Sequence, residues 1–404
     1  MVVPATRGRT PRDLRHIRRF AMIYTGSSIT DDCYFEAEQI RRLDPLNADG
    51  LLALVPKINE RCDTASLTGL LQTLTEKAEA ATLDSPHAAL ATMRDIGLVL
   101  GSLKRHSVEP VSVVPQVVPV LNELGRITNM IPRDTVHHYT SWNPDGPRRR
   151  MYVGDVQERC LQDAVTHVVP SLNASLAALD ALSEMSLRDD RCPEMIEYLH
   201  ITSNAMVESI DSVMKTVSPI FFAQIMRPYF DEVLIEGKSY LGPAAAQAPL
   251  WLIDICVWAS DRNRNEYEQF LLHSLQYSLP SWREFHARHC NKPSLVTRTV
   301  NEIERAGPPS EGLSRTASNL TELLKLLKTF RGRHIGMAAR AYADGVALFE
   351  HGSGGAPVAL LRQILDLTRE NESVLKESLQ RSQHQTGYRH APAPRVLETE
   401  TAYT

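Results

Sequence analysis

The chain has 404 residues, a formal net charge of −4, 43% hydrophobic residues and 23% charged residues, a globular balance with enough chain to bury a large core. So small a charge gives no electrostatic case for nucleic acid or an anionic membrane surface, and no apolar run approaches the roughly 20 residues of a membrane helix. The six cysteines are scattered without a CxxC pair, which argues against a zinc site or redox dithiol and for reduced thiols in a cytoplasmic protein.

Residues 1–44 are polar and open on an Arg-rich stretch that no apolar segment of signal-peptide length follows. They read as a loose extension, and export is not expected. Residues 45–376 read as one helical domain, with a smaller part over 45–145 and a larger part over 146–376. Asp84-Ser85-Pro86 starts a helix that continues through Leu90, Met93, Ile96 and Leu100 at helical spacing. A polar break follows at Asn143–Arg150. Val156–Leu182 is a long amphipathic run, and Cys192–Val217 repeats the pattern until Ser218-Pro219 stops it. The one extended piece is Glu232–Tyr240, where Glu236-Gly237 fits a hairpin turn. Asp254 interrupts the apolar stretch Ala248–Val257, and Ala306–Glu311 is a second polar break. Residues 377–404 read as a disordered tail. The chain as a whole reads as all-α, without an internal repeat.

The sharpest pattern spans Asn319–Val346. Leu320, Leu323, Leu327, Phe330, His334, Met337, Ala338 and Ala341 recur at three- and four-residue steps and define one face of a long helix. His334 sits in the middle of that face. A histidine facing a core needs a partner for each ring nitrogen. A haem iron would take one, and a carbonyl or carboxylate would fix the other. From spacing alone, a satisfied core histidine is the commoner outcome. Downstream lie Arg340, Tyr342, the loop His351-Gly352-Ser353-Gly354-Gly355 and a further helix over Pro357–Asn371. Such a loop can close over a substrate, although its composition is also that of a flexible linker.

Together, Phe330-Arg331-Gly332-Arg333-His334, Tyr342 and Gly352-Ser353-Gly354-Gly355 resemble the C-terminal signature of the indoleamine and tryptophan dioxygenase superfamily, a family of helical haem proteins. The resemblance implies a helical haem-dioxygenase-like bundle that binds haem b, with His334 as the proximal iron ligand. It also implies catalytic hydroxyls on Tyr342 and Ser353, and Gly352, Gly354 and Gly355 around the substrate's amino acid group. Ser218-Pro219-Ile220-Phe221-Phe222 through Arg227-Pro228-Tyr229 resembles the segment that sets a phenylalanine against the substrate ring and an arginine on its carboxylate. That points to Phe222 and Arg227. Tyr240-Leu241-Gly242-Pro243-Ala244-Ala245-Ala246-Gln247 resembles the small-residue stretch on the distal side of the haem, which implies Tyr240, Gly242, Ala244 and Ala245 at the cofactor. Trp142 is a further candidate for ring packing.

The likeness extends to the monodechloroaminopyrrolnitrin synthases of the pyrrolnitrin pathway. It rests on Met93-Arg94-Asp95-Ile96-Gly97, Gly101-Ser102-Leu103-Lys104-Arg105-His106, Trp142-Asn143-Pro144 and Ser239-Tyr240-Leu241-Gly242-Pro243, and runs from about Pro45 to about Lys376. It implies a haem-dependent oxidative rearrangement of tryptophan, or of a chlorinated or otherwise modified tryptophan, in antibiotic biosynthesis, with dioxygen or peroxide as co-substrate. Formation of N-formylkynurenine by a tryptophan 2,3-dioxygenase and hydroxylation of another aromatic amino acid are alternatives on the same fold. A non-enzymatic haem-binding helical protein is the alternative of another class. The expected partner is a small aromatic amino acid, bound by a monomer or weak dimer, with no nucleic acid and no membrane. Read singly, Arg227 beside Pro228 also fits a helix cap, and Tyr342 a core tyrosine. His137-His138 and His286-x-x-His289-Cys290 have metal-binding spacing but no evident third ligand.

Overall fold

The computed structural model describes residues 33–306, 309–343, 345, 346, 348, 349, 352 and 354–389. In the smaller part, Asp63 and Ser85 open helices α1 (Thr64–Ala80) and α2 (Pro86–Arg105). Each side chain accepts a backbone N–H three residues on, from Ser66 and Ala88, which satisfies an amide that a helix start leaves open. Pro86 occupies the first turn of α2, where a missing N–H costs nothing. From Ala89 to Leu103 α2 is buried on every side, packed against α1 and α3 (Val117–Thr128). Close approach requires glycine on α2: a Cβ at Gly101 would lie 2.4 Å from the Tyr152 hydroxyl, and one at Gly97 2.4 Å from Asp134.

Among these apolar residues α2 buries an ion network. Asp95 accepts hydrogen bonds at 2.8 Å from Nε of both Arg94 and Arg150, and Arg150 also donates to Asp49 at 2.6 Å. Burial alone would raise the Asp95 pKa, but the two guanidinium groups outweigh it and hold the carboxyl below its ordinary value. Residues 33–44 belong to this packing. Tyr34 and Ile40 are buried, the Tyr34 hydroxyl donates to the Thr128 carbonyl at 2.5 Å, and Arg94 donates to the carbonyls of Ile40 and Leu43. The boundary drawn at residue 45 is therefore not a structural one, and residues 1–32 lie outside the described residues.

A four-residue helix, α4 (Val136–Tyr139), leads toward the larger part. Helices α5 (Val156–Glu184) and α6 (Cys192–Thr216) follow. Beyond Ser218-Pro219 the chain winds on as a π-helical turn over Phe221–Met226 and a 3-10 turn over Arg227–Phe230. A two-stranded antiparallel hairpin then pairs β1 (Val233–Ile235) with β2 (Lys238–Tyr240), Val233 opposite Tyr240. Glu236 and Gly237 turn it with φ of 49° and 78°, the left-handed pair that tight hairpins favour. Next come α7 (Asn265–Leu275), α8 (Pro280–His289), α9 (Leu295–Ala306), α10 (Glu311–Ala341) and α11 (Val358–Arg389).

The all-α reading holds, with the hairpin as the only sheet among the described residues. Helix α10 ends at Ala341, not Val346, because Tyr342 leaves helical geometry and Gly345 turns the chain at φ 77°. Helix α11 runs on to Arg389, past the boundary drawn at 376. The most extensive helix packing joins α5 to α6, α6 to α10 and α10 to α11. Two large apolar cores result, one around α1–α3 and one around α5, α6, α10 and α11. No described helix is long and apolar enough to cross a membrane.

Asp95→Asn leaves two buried guanidinium groups without their carboxylate, which costs about 3 kcal/mol. The wild-type contribution of Asp95 is present above the unfolded carboxyl pKa and is lost as pH falls through the lowered folded value. Urea midpoints against pH should show a large deficit for Asp95→Asn at neutral pH that narrows in acid.

Candidate functional site

A cavity of about 340 Å³ lies between the two cores. Leu161, Ala164, Val168 and Leu172 of α5, Met206 and Ile210 of α6, Phe330 and Ala338 of α10, and Leu361 and Ile364 of α11 give it apolar walls. His334 of α10 lines it. The Phe330 ring lies 5.8 Å from the imidazole, and neither ring nitrogen has a hydrogen-bond partner among the described residues. Burial, and secondarily the Arg331 charge, push its pKa below the ordinary histidine value. The ring is therefore neutral near pH 7, the form that ligates a metal.

Arg331 fixes the register of α10. Its guanidinium pairs with the buried Asp254 carboxylate and donates to the Thr368 hydroxyl of α11 at 2.5 Å. Asp254 also accepts from Trp258 Nε1 at 3.0 Å and from the Tyr267 hydroxyl at 2.5 Å. One carboxylate thus joins α10 to the segment before α7 and to α7 itself.

Arg227 follows the π-helical turn and is 6% exposed. Its Nε and Nη1 are buried without a hydrogen-bond partner. Asp231 lies 4.0 Å from Nη1, beyond hydrogen-bonding reach, and the Phe349 ring stacks 4.0 Å from the guanidinium. Burial lowers the Arg227 pKa, and the Tyr342 hydroxyl beside it works the other way. Burial also raises the Tyr342 pKa against the pull of Arg227, so the phenol keeps its proton near pH 7. Arg227 is thus an inward guanidinium, not a helix cap.

Phe222, Tyr342, Gly352, Gly354, Ala244 and Ala245 line the cavity with His334. A Cβ at Gly354 would lie 2.5 Å from the Ala246 Cβ, so the glycine loop closes on the small-residue stretch only because both residues are small. Arg227 stands behind Tyr342, outside the lining. Gly355 faces Leu241 and turns at φ 75°. Tyr240 and Gly242 do not reach the cavity. Arg133 donates to the Tyr240 carbonyl at 2.9 Å, and Gly242 packs on the backbone of Phe230. Ser353 lies outside the described residues.

Trp142 is a core residue, 1% exposed, whose indole donates to the Tyr34 carbonyl at 2.9 Å. His137 and His138 are buried against its ring, and burial pushes His137 down to about 3. His289 pairs with Asp180 at 2.8 Å, and no group of three or more potential metal ligands forms among the described residues. The sequence reading did not single out Asp254 as a site residue, nor Tyr139 and Phe230, which also line the cavity. Asp254 left a signal, a carboxylate inside an apolar run; the other two left none.

An all-α fold, an apolar cavity lined by an imidazole without a hydrogen-bond partner among the described residues, and a buried guanidinium behind Tyr342 define a small-molecule site. The chain belongs to the monodechloroaminopyrrolnitrin synthase (PrnB) family, whose model matches residues 38–387. That family comprises enzymes of tryptophan-derived pyrrolnitrin biosynthesis.

Arg331→Met leaves the Asp254 carboxylate buried with only neutral donors. The expected loss is about 3 kcal/mol of stability, read as a lower urea midpoint. Arg333→Met, which removes a half-exposed pair with Asp211, should cost under about 1 kcal/mol.

Proposed function

We propose that this chain carries out a haem-dependent oxidative rearrangement of tryptophan, or of a chlorinated or modified tryptophan, in secondary-metabolite biosynthesis. The observation that carries the reading is His334: a neutral, unpartnered imidazole facing an apolar cavity. No group of three or more ligands for a bare ion forms there among the described residues, whereas a macrocycle brings its own four nitrogens. The residues present therefore fit haem b held by His334. Bound haem supplies the redox chemistry on dioxygen or peroxide.

The chain's own groups account for positioning. Arg227 offers two unpaired donors in the planar fork that suits a carboxylate. Tyr342, protonated beside it, holds a hydroxyl toward the same end of the substrate. Phe222 packs on the ring. The stretch Pro243–Ala246 leaves room for a planar ligand, and Gly352 and Gly354 cover the cavity and exclude water. Arg331, through Asp254 and Thr368, holds α10 so that the imidazole keeps its aim. Ser353 belongs to this reading as a further hydroxyl, and a cytoplasmic monomer or weak dimer suits it.

Absorption spectra of the haem-reconstituted, reduced protein test the reading. A histidine-type spectrum is expected, shifted by L-tryptophan and abolished in His334→Ala. A chain that takes up no haem overturns it. Arg227→Leu should keep the haem spectrum and weaken L-tryptophan binding roughly tenfold to a hundredfold, as loss of a charged hydrogen bond does.

A further inference from the structure

Four donors converge on Glu158, the third residue of α5. Its carboxylate is fully buried and accepts the backbone N–H groups of Tyr152, Val153 and Gly154 at 2.6, 2.9 and 3.0 Å. The fourth donor, and the only side chain among these four, is the Tyr139 hydroxyl at 3.0 Å. The start of α5 favours the negative charge, and the three amides fix the carboxylate to the backbone. Glu158 is therefore a rigid anchor, and what it anchors is a ring on the cavity wall. Tyr139 and Phe230 both line the cavity and meet edge to face with centroids 5.3 Å apart. Tyr152, 5.5 Å from the Tyr139 ring, backs it.

We infer that Tyr139, pinned by Glu158 and braced by Phe230, is a specificity-determining wall that sets how large an aromatic ring the cavity accepts. The inference rests on the reading of this cavity as an aromatic amino acid site. An unanchored side chain can yield to a larger ligand by changing rotamer. Tyr139 yields only by breaking its bond to a buried carboxylate, which would strand that charge short of a donor. The wall therefore rejects bulk instead of adapting to it, as discrimination by a fixed pocket requires. Tyr139 touches the ligand in this scheme, and Glu158 is a positioning residue that acts through it.

The test measures calorimetric affinities of the haem-loaded full chain for L-tryptophan and for its analogues singly methylated on the benzo ring. In Tyr139→Leu at least one analogue should gain roughly tenfold relative to L-tryptophan, about what one methyl group in an apolar pocket is worth. Glu158→Gln should move the same ratio in the same direction to a smaller extent, because its amide group turns N–H toward N–H donors and loosens the anchor. Tyr139→Phe keeps the braced ring but removes the hydroxyl that Glu158 holds, so it should move the ratio in the same direction as Glu158→Gln and by less than Tyr139→Leu. Should Tyr139→Leu fail to fold, Phe230→Leu removes the brace with the anchor intact and reads the same ratio. A folded Tyr139→Leu or Phe230→Leu protein with unchanged ratios overturns this inference alone. A haem-loaded wild type that binds none of the ligands overturns the site reading, and this inference with it.

Discussion

Asp254 lies in a run of apolar residues and is sealed from water, so its charge has to be matched inside the protein. The match comes from three places in the chain: Arg331 on α10, Tyr267 on α7 and Trp258 ahead of α7. Arg331 stands three residues before His334, close to one turn of helix. Satisfying Asp254 therefore fixes the rotation and height of α10 about its own axis, and with them the aim of the imidazole. Thr368 extends the constraint to α11. A purely apolar α10 could slide or rotate against α6 at little cost, since dispersion contacts carry no direction. The buried pair supplies the direction.

The same device recurs around the cavity. Asp95 gathers Arg94 and Arg150 and so joins α2 to the segment before α5. Glu158 gathers three amides and Tyr139. Each carboxylate is expensive to bury, and each is offset by a set of donors that includes at least one from another element of the chain. Such clusters tie sequence-distant segments at set distances, as packing alone does not. They place the cavity where the two apolar cores meet, a common location for small-molecule sites.

Much of this was legible in the sequence where periodicity or turn chemistry reports it. The 3.6-residue recurrence of Leu320 through Ala341 marked α10 and put His334 on its buried face, and Glu236-Gly237 marked the hairpin. Resemblance brought Phe222, Tyr342, Ala244 and Ala245, which line the cavity, and Arg227, which stands just behind it. It also brought Tyr240 and Gly242, which serve the wall from behind: a residue type suited to close approach does not say what approaches it. Gly242 meets the Phe230 backbone, not a ligand. Trp142 had the chemistry of a ring-packing residue, yet its indole N–H is spent on Tyr34. Tyr139 was hidden because its helix is four residues long, too short to show a period, and because its partner lies 19 residues away. Length of helix and locality of contact thus decided what could be read.

Buried polar atoms without a partner are rare in folded proteins, and each costs about 1–3 kcal/mol. His137 and His138 each leave Nε2 unpaired, but both rings sit against Trp142, where nothing can enter. His334 and Arg227 differ in what they face. The imidazole opens on the cavity, and the guanidinium stands one hydroxyl behind it. The carboxylates around them are satisfied by donors within the chain, so the same fold that pairs Asp95, Asp254 and Glu158 leaves these two cationic-type groups open. An electron-pair acceptor at His334 and a carboxylate at Arg227 would restore what folding left unpaired. On the reading proposed above, these are the open groups that a ligand, and not the chain, would fill.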